Sequence, residues 1–537
     1  MQVTHLILIC LYIPPMVVIC LFGIHRLWVL LRVLLTAKAN RQLSTLPGTD
    51  QPLPTITVQL PMYNEAAVAQ RAIDAACRLD YPILRLQIQV LDDSDQEQAA
   101  PIQRAASIRA AQGHQVQYLH RTHRRGYKAG ALADGMKAAT GEFIVIFDAD
   151  FVPEPDFIKR LLPCFDDPEV GMAQARWSHL NTDQNLLTRA QATLLNGHFL
   201  LEQNFRALTG RWFNFNGTAG IWRRRCIEEA GGWQQDTLTE DTDLSYRAQL
   251  NGWKFVYRPD VKAPAELPPT LMAFCQQQHR WNKGLTQTAI KLTRKIILAR
   301  APMRCKFEAI LHLFSPSLYL AIAFLALIAI PATLTLTTLS AIPPWLALSL
   351  GASSLALGMA ATGLFYLVTP LRTKRAFLPS LLNLPILLAL GIGVSLSVSR
   401  GVLEALVGHQ TPFIRTPKFN SNRSMKIRDG ETIRIRGIPE ILIGSILIVC
   451  FVLTCIYHGT LVGAPFVFLF SISFGSVGFR LIKESLAHRQ LPHHAPNKGE
   501  HDLPINGQDS IIEIDQQSEA SQTTETVPPL VEHSLHS

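Results

Sequence analysis

Residues 142–150 read EFIVIFDAD, an apolar run that stops on two aspartates. Two upstream stretches end in the same manner: residues 54–65 read PTITVQLPMYNE, and residues 86–95 read LQIQVLDDSD. Each short β-rich run closes on polar residues, and the helix-like AAVAQRAIDAACRL follows the first of them from Ala66. Apolar strands alternating with helical sequence suit a parallel sheet buried on both faces. Ligands of open α/β sheets bind beyond the carboxyl ends of the strands. The soluble part of the chain is therefore expected to gather Asp92, Asp93, Asp148 and Asp150 along one edge of such a sheet.

Around this segment the composition changes. The chain has 537 residues, of which 48% are apolar, and its mean hydropathy is +0.16. That is enough for a large core and several bilayer crossings. Apolar runs of spanning length lie near 5–24, 309–335, 344–369, 440–458 and 461–482, with a weaker one near 377–399. The first run lacks a basic leader and a small-residue cleavage site, and Arg26, Arg32, Lys38 and Arg41 follow it. An uncleaved anchor with its N-terminus outside is expected, which places the soluble region in the cytoplasm by the positive-inside rule. Basic clusters at 294–306, 372–375 and 415–436 are expected on that same side. The run 377–399 breaks the parity if it crosses once, so it reads as a re-entrant or interfacial segment or half of a hairpin.

The expected organisation is an N-terminal anchor over 1–35 and a soluble domain over 50–300. A membrane and interfacial helix region follows over 301–485, with a cytosolic loop at 400–438. Residues 490–537 read as an acidic disordered tail: from residue 496 onward eight acids face Lys498 alone. The formal charge of +9 is thus concentrated in the rest of the chain, where it suits topology, anionic lipid or phosphate. No nucleic-acid motif interleaves aromatic and basic residues. Nine cysteines are scattered without CxxC or Cys/His spacing, so disulfides and zinc are not expected.

Several clusters point to chemistry. Side chains two apart in an extended segment project to one side, so Asp148 and Asp150 can face one divalent ion, and such oxygen ligands suit Mg²⁺ or Mn²⁺. A solvated turn is the plainer reading of the same residues. The stretch Leu238–Arg247, LTEDTDLSYR, reads as a capped helix start with Thr239 or Asp241 as N-cap. A carboxylate held there is well placed for general-base work. Arg124, Arg125 and Lys128 surround Gly126, either as a solvated basic turn or as charge for a nucleotide's phosphates. Gln276–Trp281, QQQHRW, precedes a basic flank and reads either as an interfacial anchor or as part of the site.

The ordered set PMYNE, LDDSDQ, RGYKAGAL, FDADF, FNGTAGIWRR, TEDTDLSYR and QQHRW resembles the processive family-2 glycosyltransferases. The wording VQLPMYNE, FNFNGTAGIWRR, QQHRW and the later QTPFIRTPKF is most similar to the cellulose-synthase-like A glucomannan and mannan synthases and their bacterial relatives. The resemblance is dense over 50–300 and thin over 400–420. It implies an α/β GT-A, Rossmann-like, cytosolic glycosyltransferase domain inserted in a polytopic helical membrane protein, transferring a hexose from a nucleotide sugar with inversion.

The site residues the resemblance implies are these. Tyr63, Glu65, Asp92 and Asp93 lie near the base and ribose, and Lys128 lies beside the nucleotide. Asp148 and Asp150 hold Mg²⁺ or Mn²⁺ on the diphosphate. Asp241, next to Glu240, is the catalytic base. Arg280 meets the diphosphate, while Gln277, Trp281 and the segment Phe215–Arg223, Gly217 and Thr218 included, face the acceptor. Residues 411–419 resemble a gating loop, for which a basic membrane-surface linker is the plainer reading.

The expected partners are GDP-mannose or UDP-glucose, a growing β-1,4-linked mannan, glucomannan or glucan, and membrane lipid. A glycolipid-forming transferase and a non-catalytic scaffold are the rival classes. QQHRW and the number of C-terminal spans favour a polymer, because a lipid acceptor needs no transbilayer channel. No cyclic-nucleotide-binding domain is visible after the last span.

Overall fold

A computed structural model of the chain describes residues 2–36, 53–336, 344–373, 377–411, 435–458 and 464–489. The expected acidic tail, residues 412–419 of the gating-loop resemblance, and the basic residues Lys38, Arg41, Lys374, Arg375 and 415–434 lie outside the described residues.

Seven strands form one sheet: β1 (Ile56–Met62), β2 (Leu86–Asp92), β3 (Gln115–His120), β4 (Phe143–Ile146), β5 (Val170–His179), β6 (Gly220–Arg223) and β7 (Lys254–Ala265), in the order β3-β2-β1-β4-β6-β5-β7. Alternation, rather than uniform hydrophobicity, decides how β1 and β2 sit. Val58, Leu60, Ile88 and Val90 enter the core on one face. On the other, Gln59 Nε2 donates to Gln89 Oε1 at 3.0 Å and Thr57 Oγ1 donates to Gln87 Oε1 at 2.7 Å. These bonds pair part of the buried polar groups and so lower the cost of burying them, although Gln59 Oε1 and Gln89 Nε2 have no hydrogen-bond partner among the described residues. The helix Tyr127–Ala138 lies directly on this amide ladder, and glycine at 135 allows the approach without moving either neighbour: a Cβ there would stand 2.6 Å from Gln59 Nε2 and 2.9 Å from Leu91.

The strands read from sequence, β1, β2 and β4, run parallel as expected. β6, which the sequence reading did not place, runs antiparallel to both β4 and β5, so the sheet as a whole is mixed. The physical reason is its entry point. The segment before it, 214–219, lies at the carboxyl end of β4, where Gly220 pairs with Ile146. A strand that starts there can only run back.

The helices are α1 (Gln2–Thr36), α2 (Ala66–Cys77), α3 (Gln96–Ala111), α4 (Tyr127–Ala138), α5 (Phe157–Leu161), α6 (Leu186–Gly197), α7 (Asn204–Leu208), α8 (Arg224–Glu229) and α9 (Glu240–Leu250). They continue as α10 (Leu271–Leu298), α11 (Met303–Leu313), α12 (Ser317–Leu336), α13 (Pro344–Thr373), α14 (Phe377–Gly393), α15 (Ser395–Leu406), α16 (Ile438–His458) and α17 (Ala464–Arg489). A π-turn, His198–Gln203, joins α6 to α7. Helices α2 and α3 cover one face of the sheet through Ile73 and Ile102. Leu132 of α4 and Leu244 of α9 pack on the other with Ile144, Ile146 and Trp222.

Among the described residues, four segments are long and apolar enough to cross a membrane: Cys10–Leu35, Leu381–Leu406, Ile438–Ile456 and Ala464–Ala487. The run 377–399 is thus one of the long ones, extended through α14 into α15. The run 309–335 is two helices, α11 and α12, bent by 47°, and Pro316 in the break explains the bend. Arg26 and Arg32, expected beyond the first span, lie inside α1. Arg26 is accommodated because Nη1 donates to Thr362 Oγ1 at 2.9 Å and the guanidinium lies 5.7 Å from the Tyr366 ring. The run 344–369 lies in α13, which carries the apolar stretch Leu355–Thr369.

Carboxylates of the helical region, Glu308 and Glu484 among them, tie it to the sheet domain. Buried Glu308 of α11 accepts from Arg206 Nε of α7 at 2.9 Å and lies 3.1 Å from His25 Nε2 of α1. Glu484 of α17 accepts the backbone amides of Leu271 and Met272 at 2.9 and 2.8 Å. A helix leaves its first amides without intrahelical partners, and a carboxylate there also meets the positive end of the dipole. Glu484→Ala is therefore expected to cost about 1–2 kcal/mol, read as a lower Tm of the detergent-solubilised protein. An unchanged Tm would show that this cap contributes nothing.

Candidate active site

The parallel register places the ends of β1, β2 and β3 together, with Met62 opposite Asp92 and Asp92 opposite His120. The loops after β1 and β2 are stitched by Asn64, whose amide N–H donates to Ser94 Oγ at 2.7 Å and whose Nδ2 donates to Asp95 Oδ2 at 3.1 Å. Asn64 adopts φ 52°, a left-handed conformation that asparagine tolerates better than most residues. Tyr63 lies half-buried with the Arg124 guanidinium 3.4 Å from its ring centroid, a cation–π contact. Glu65 is buried and its Oε2 accepts from the Tyr63 amide at 3.3 Å.

Asp92 and Asp93 are turned to protein partners. Asp92 is fully buried and accepts from Tyr118 Oη at 2.8 Å and from the Ser94 amide at 2.9 Å. Asp93 holds Arg121 through two charged bonds of 2.7 and 2.6 Å. Arg121 Nη2 also donates to the carbonyl of Tyr127 at 2.9 Å, which fixes the turn leading into α4.

Lys128, on the first turn of α4, is the hub. Its Nζ donates to Asp148 Oδ1 at 2.5 Å and to the Gly217 carbonyl at 2.8 Å. Burial alone works against the Lys128 charge, but the carboxylates of Asp148 and Glu240 outweigh it and hold the ammonium above its ordinary value. Gly217 has φ +82°, and a Cβ there would lie 2.9 Å from Asp241 Oδ2. Asp148, Lys128, Gly217 and Asp241 thus share one small volume.

The aspartates 148 and 150 are not in an extended segment. β4 ends at Ile146, and a turn closes with the Phe151 amide donating to the Asp148 carbonyl at 2.9 Å. Asp148 is partly open, whereas Asp150 is 1% exposed. No group of three or more His, Cys, Asp or Glu side chains assembles a metal site among the described residues. Two carboxylates without a third suit a hard divalent ion whose other ligands are water and phosphate oxygens. The residues present therefore fit an ion that arrives with a diphosphate.

Thr239 occupies the N-cap position of α9, but its hydroxyl meets Thr288 Oγ1 at 3.2 Å rather than capping the helix. Asp241 lies in the first turn and its Oδ1 accepts from the Thr242 amide at 2.7 Å. Burial, then the Glu240 carboxylate, push the Asp241 carboxyl up to about 7. Burial likewise raises Glu240 against the opposing charges of Lys128 and Arg280.

The segment 215–223 divides. Phe215, Ile221 and Trp222 belong to the core and cannot line an approach path. Thr218 is fully buried and its hydroxyl accepts from the Asp148 amide at 2.9 Å, so it positions Asp148 rather than facing solvent. On α10, Gln277, Arg280 and Trp281 are half-buried, and the Trp281 ring lies 6.4 Å from Trp177 at the end of β5. His279 turns away to Glu404 of α15 at 3.2 Å, as does Lys283 at 3.0 Å. Trp177 was not singled out from sequence, since its pairing with Trp281 spans the whole sheet-to-helix connection. The amide of Asn216, inside a motif that was noted, was also missed.

Lys128→Met removes the cation that the carboxylates share. The Asp241 pKa is raised from 3.8 to about 7 on folding, so the folded state binds its proton more tightly and stability declines as pH rises between those values. Without Lys128 that decline steepens. The Tm deficit of the variant is expected to be larger at about pH 8.5 than at about pH 5.5, and a deficit independent of pH would contradict this electrostatic account.

Residues 54–284 match the family described as "Glycosyltransferase like family 2". The chain is 46% identical over 249 residues to glucomannan 4-beta-mannosyltransferase 2 of Arabidopsis thaliana, covering 45% of this chain and 47% of that protein. It is 44% identical over 249 residues to glucomannan 4-beta-mannosyltransferase 1 of Oryza sativa subsp. japonica, covering 45% and 48%. The chain therefore spans about half the length of the curated relatives it matches. Among solved structures it is similar to the mannosyltransferase PcManGT from Pyrobaculum calidifontis in complex with GDP-Man and Mn2+, with TM-score 0.47 and 22% identity over 69% of this chain and 97% of that one. The match to the family-2 glycosyltransferases thus covers residues 54–284, the part of the chain whose carboxylates and lysine converge at the ends of the strands.

Proposed function

We propose that the protein is a membrane-held inverting hexosyltransferase that extends a β-1,4-linked mannan or glucomannan from a nucleotide sugar, with GDP-mannose as the favoured donor. The observation that carries the reading is the grouping of Asp241, Asp148 and Lys128 around the Gly217 turn at the ends of the strands, where burial and Glu240 push the Asp241 carboxyl up. The matched relatives, named as glucomannan mannosyltransferases, support the choice of donor and polymer. The apolar helices flanking the domain support a membrane-embedded enzyme, and the positive-inside rule favours the cytoplasmic side for its site.

The chemistry follows from the geometry. The acceptor hydroxyl gives its proton to Asp241 as its oxygen attacks the anomeric carbon from the face opposite the diphosphate. The bond from that carbon to the diphosphate oxygen breaks, and the electron pair leaves with the nucleoside diphosphate. Lys128 and Arg280 supply positive charge to the leaving group, where stabilisation of developing charge lowers the barrier most. Asp148 and Asp150 would hold a divalent ion, Mg²⁺ or Mn²⁺, that neutralises the diphosphate. Trp281, with Trp177 beside it, offers an apolar face for the acceptor's terminal sugar. Tyr63 and Arg124 offer planes for the base.

Purified protein given radiolabelled GDP-mannose, UDP-glucose or UDP-N-acetylglucosamine, with Mg²⁺ or Mn²⁺, is expected to make a polymer from GDP-mannose that β-mannanase digests. Label found only in organic-extractable glycolipid would overturn the polymer reading. Asp241→Asn is expected to lower kcat by about 10²- to 10⁴-fold without lowering Tm, since it removes a carboxylate that the fold resists charging. The wild-type rate is expected to rise with pH through about 7, as the base loses its proton. Chelation is expected to abolish transfer, and Mn²⁺ or Mg²⁺ to restore it.

A further inference from the structure

The π-turn His198–Gln203 interrupts an otherwise continuous helix. Such turns are rare and often mark functional positions. Here three side chains of the turn reach toward the site. Gln203 Nε2 donates to the Asn214 carbonyl at 2.9 Å and to Asn216 Oδ1 at 3.3 Å. His198 Nε2 lies 3.0 Å from Asn216 Nδ2. Phe199 packs against Trp177 with ring centroids 5.3 Å apart, and Trp177 neighbours Trp281.

The partners assign the imidazole tautomer. Asn216 Oδ1 is taken by the Gln203 amide, so Nδ2 is the group that faces His198, and Nδ2 can only donate. His198 Nε2 therefore accepts, and Nδ1 carries the proton toward Glu202 Oε2 at 3.2 Å. The Asn216 backbone amide donates in turn to Gln174 Oε1 at 3.0 Å. One residue further on is the Gly217 carbonyl that holds Lys128, and two further on is the Thr218 hydroxyl that holds Asp148.

We propose that His198, as the neutral Nδ1–H tautomer held by Glu202, is a positioning residue for the transfer site: it fixes Asn216, and through it the loop that presents Gly217 to Lys128 and Thr218 to Asp148. The inference rests on the functional reading above. The start of the turn is itself seated on the helical region. A Cβ at Gly197 would lie 2.6 Å from Tyr366 and 3.1 Å from Phe365 of α13, so the glycine permits backbone contact there. The Arg26 guanidinium of α1 stands over the same two rings. The turn thus bridges α13 and the loop before β6.

The test compares His198→Leu, which can neither accept from Asn216 nor donate to Glu202, with His198→Gln, whose side-chain amide can do both. His198→Leu is expected to lower kcat by about 10- to 100-fold and to weaken the calorimetric Kd for GDP and Mn²⁺ along with it, because Asp148 and Lys128 lose part of their support, with Tm unchanged. His198→Gln is expected to recover most of the rate. In the Asn216→Ala background, His198→Leu is expected to add no further loss, because the pair acts as one unit. A wild-type kcat in His198→Leu overturns the proposal, as does equal loss in both His198 variants or a fully additive double variant. Should His198→Leu fail to fold, the Asn216→Ala and His198→Gln arms decide alone. The tautomer is read separately by nitrogen-15 NMR of labelled histidine, where an Nε2–H form overturns it. A wild-type protein that transfers no sugar from any donor sinks the functional reading and leaves the tautomer to that measurement.

Discussion

One buried ammonium organises the site. Asp148, Glu240 and Asp241 come from two separate elements, and like charges at this range would drive one another toward protonation. Lys128 stands among them, bound to Asp148 and to the carbonyl of Gly217. Its placement depends on the first turn of α4, which Arg121 fixes by holding both Asp93 and the Tyr127 carbonyl. The pair Asp93–Arg121 thus supports the turn that carries Lys128. Burial still wins over Lys128 at Asp241, and a carboxyl left near neutrality is what base chemistry at physiological pH needs.

The antiparallel β6 is the second determinant. A parallel strand would have carried its preceding loop to the far end of the sheet. By running back from Ile146, β6 places residues 214–219 against Asp148 and Lys128. Positive φ at Gly217 and Ala219 lets the chain turn tightly enough to bring a carbonyl to the ammonium. The buried aromatic residues on either side, Phe215 and Trp222, anchor the loop in the core, 5.5 Å apart at their ring centroids.

The helical region is not a separate attachment. Glu484 of α17 caps α10, the helix that carries Arg280 and Trp281, while Glu404 of α15 holds His279 and Lys283 of the same helix. Lys283 also donates to Thr411 Oγ1 at 2.8 Å. The helix that carries this indole is thereby held from two membrane-type helices, and charged side chains that hydropathy counts as interruptions are the connecting parts.

Much of this was legible in the chain itself. Short β-rich runs ending in carboxylates announced the α/β sheet and the edge at which its chemistry collects, because strand period, turn residues and burial act over a few residues. The order of motifs pointed to the family whose model matches residues 54–284, and the long apolar runs announced the helical region. What the sequence could not decide was direction and pairing. That β6 runs backward, that Asp148 and Asp150 sit in a turn, that Arg26 stays inside α1, and that His198 and Gln203 reach Asn216 all depend on contacts between residues distant in the chain. Local sequence determines which groups are present and which element each occupies. Only the packing of those elements determines which charge meets which, because hydrogen bonds and Coulomb interactions are set by distance in space rather than by separation along the chain.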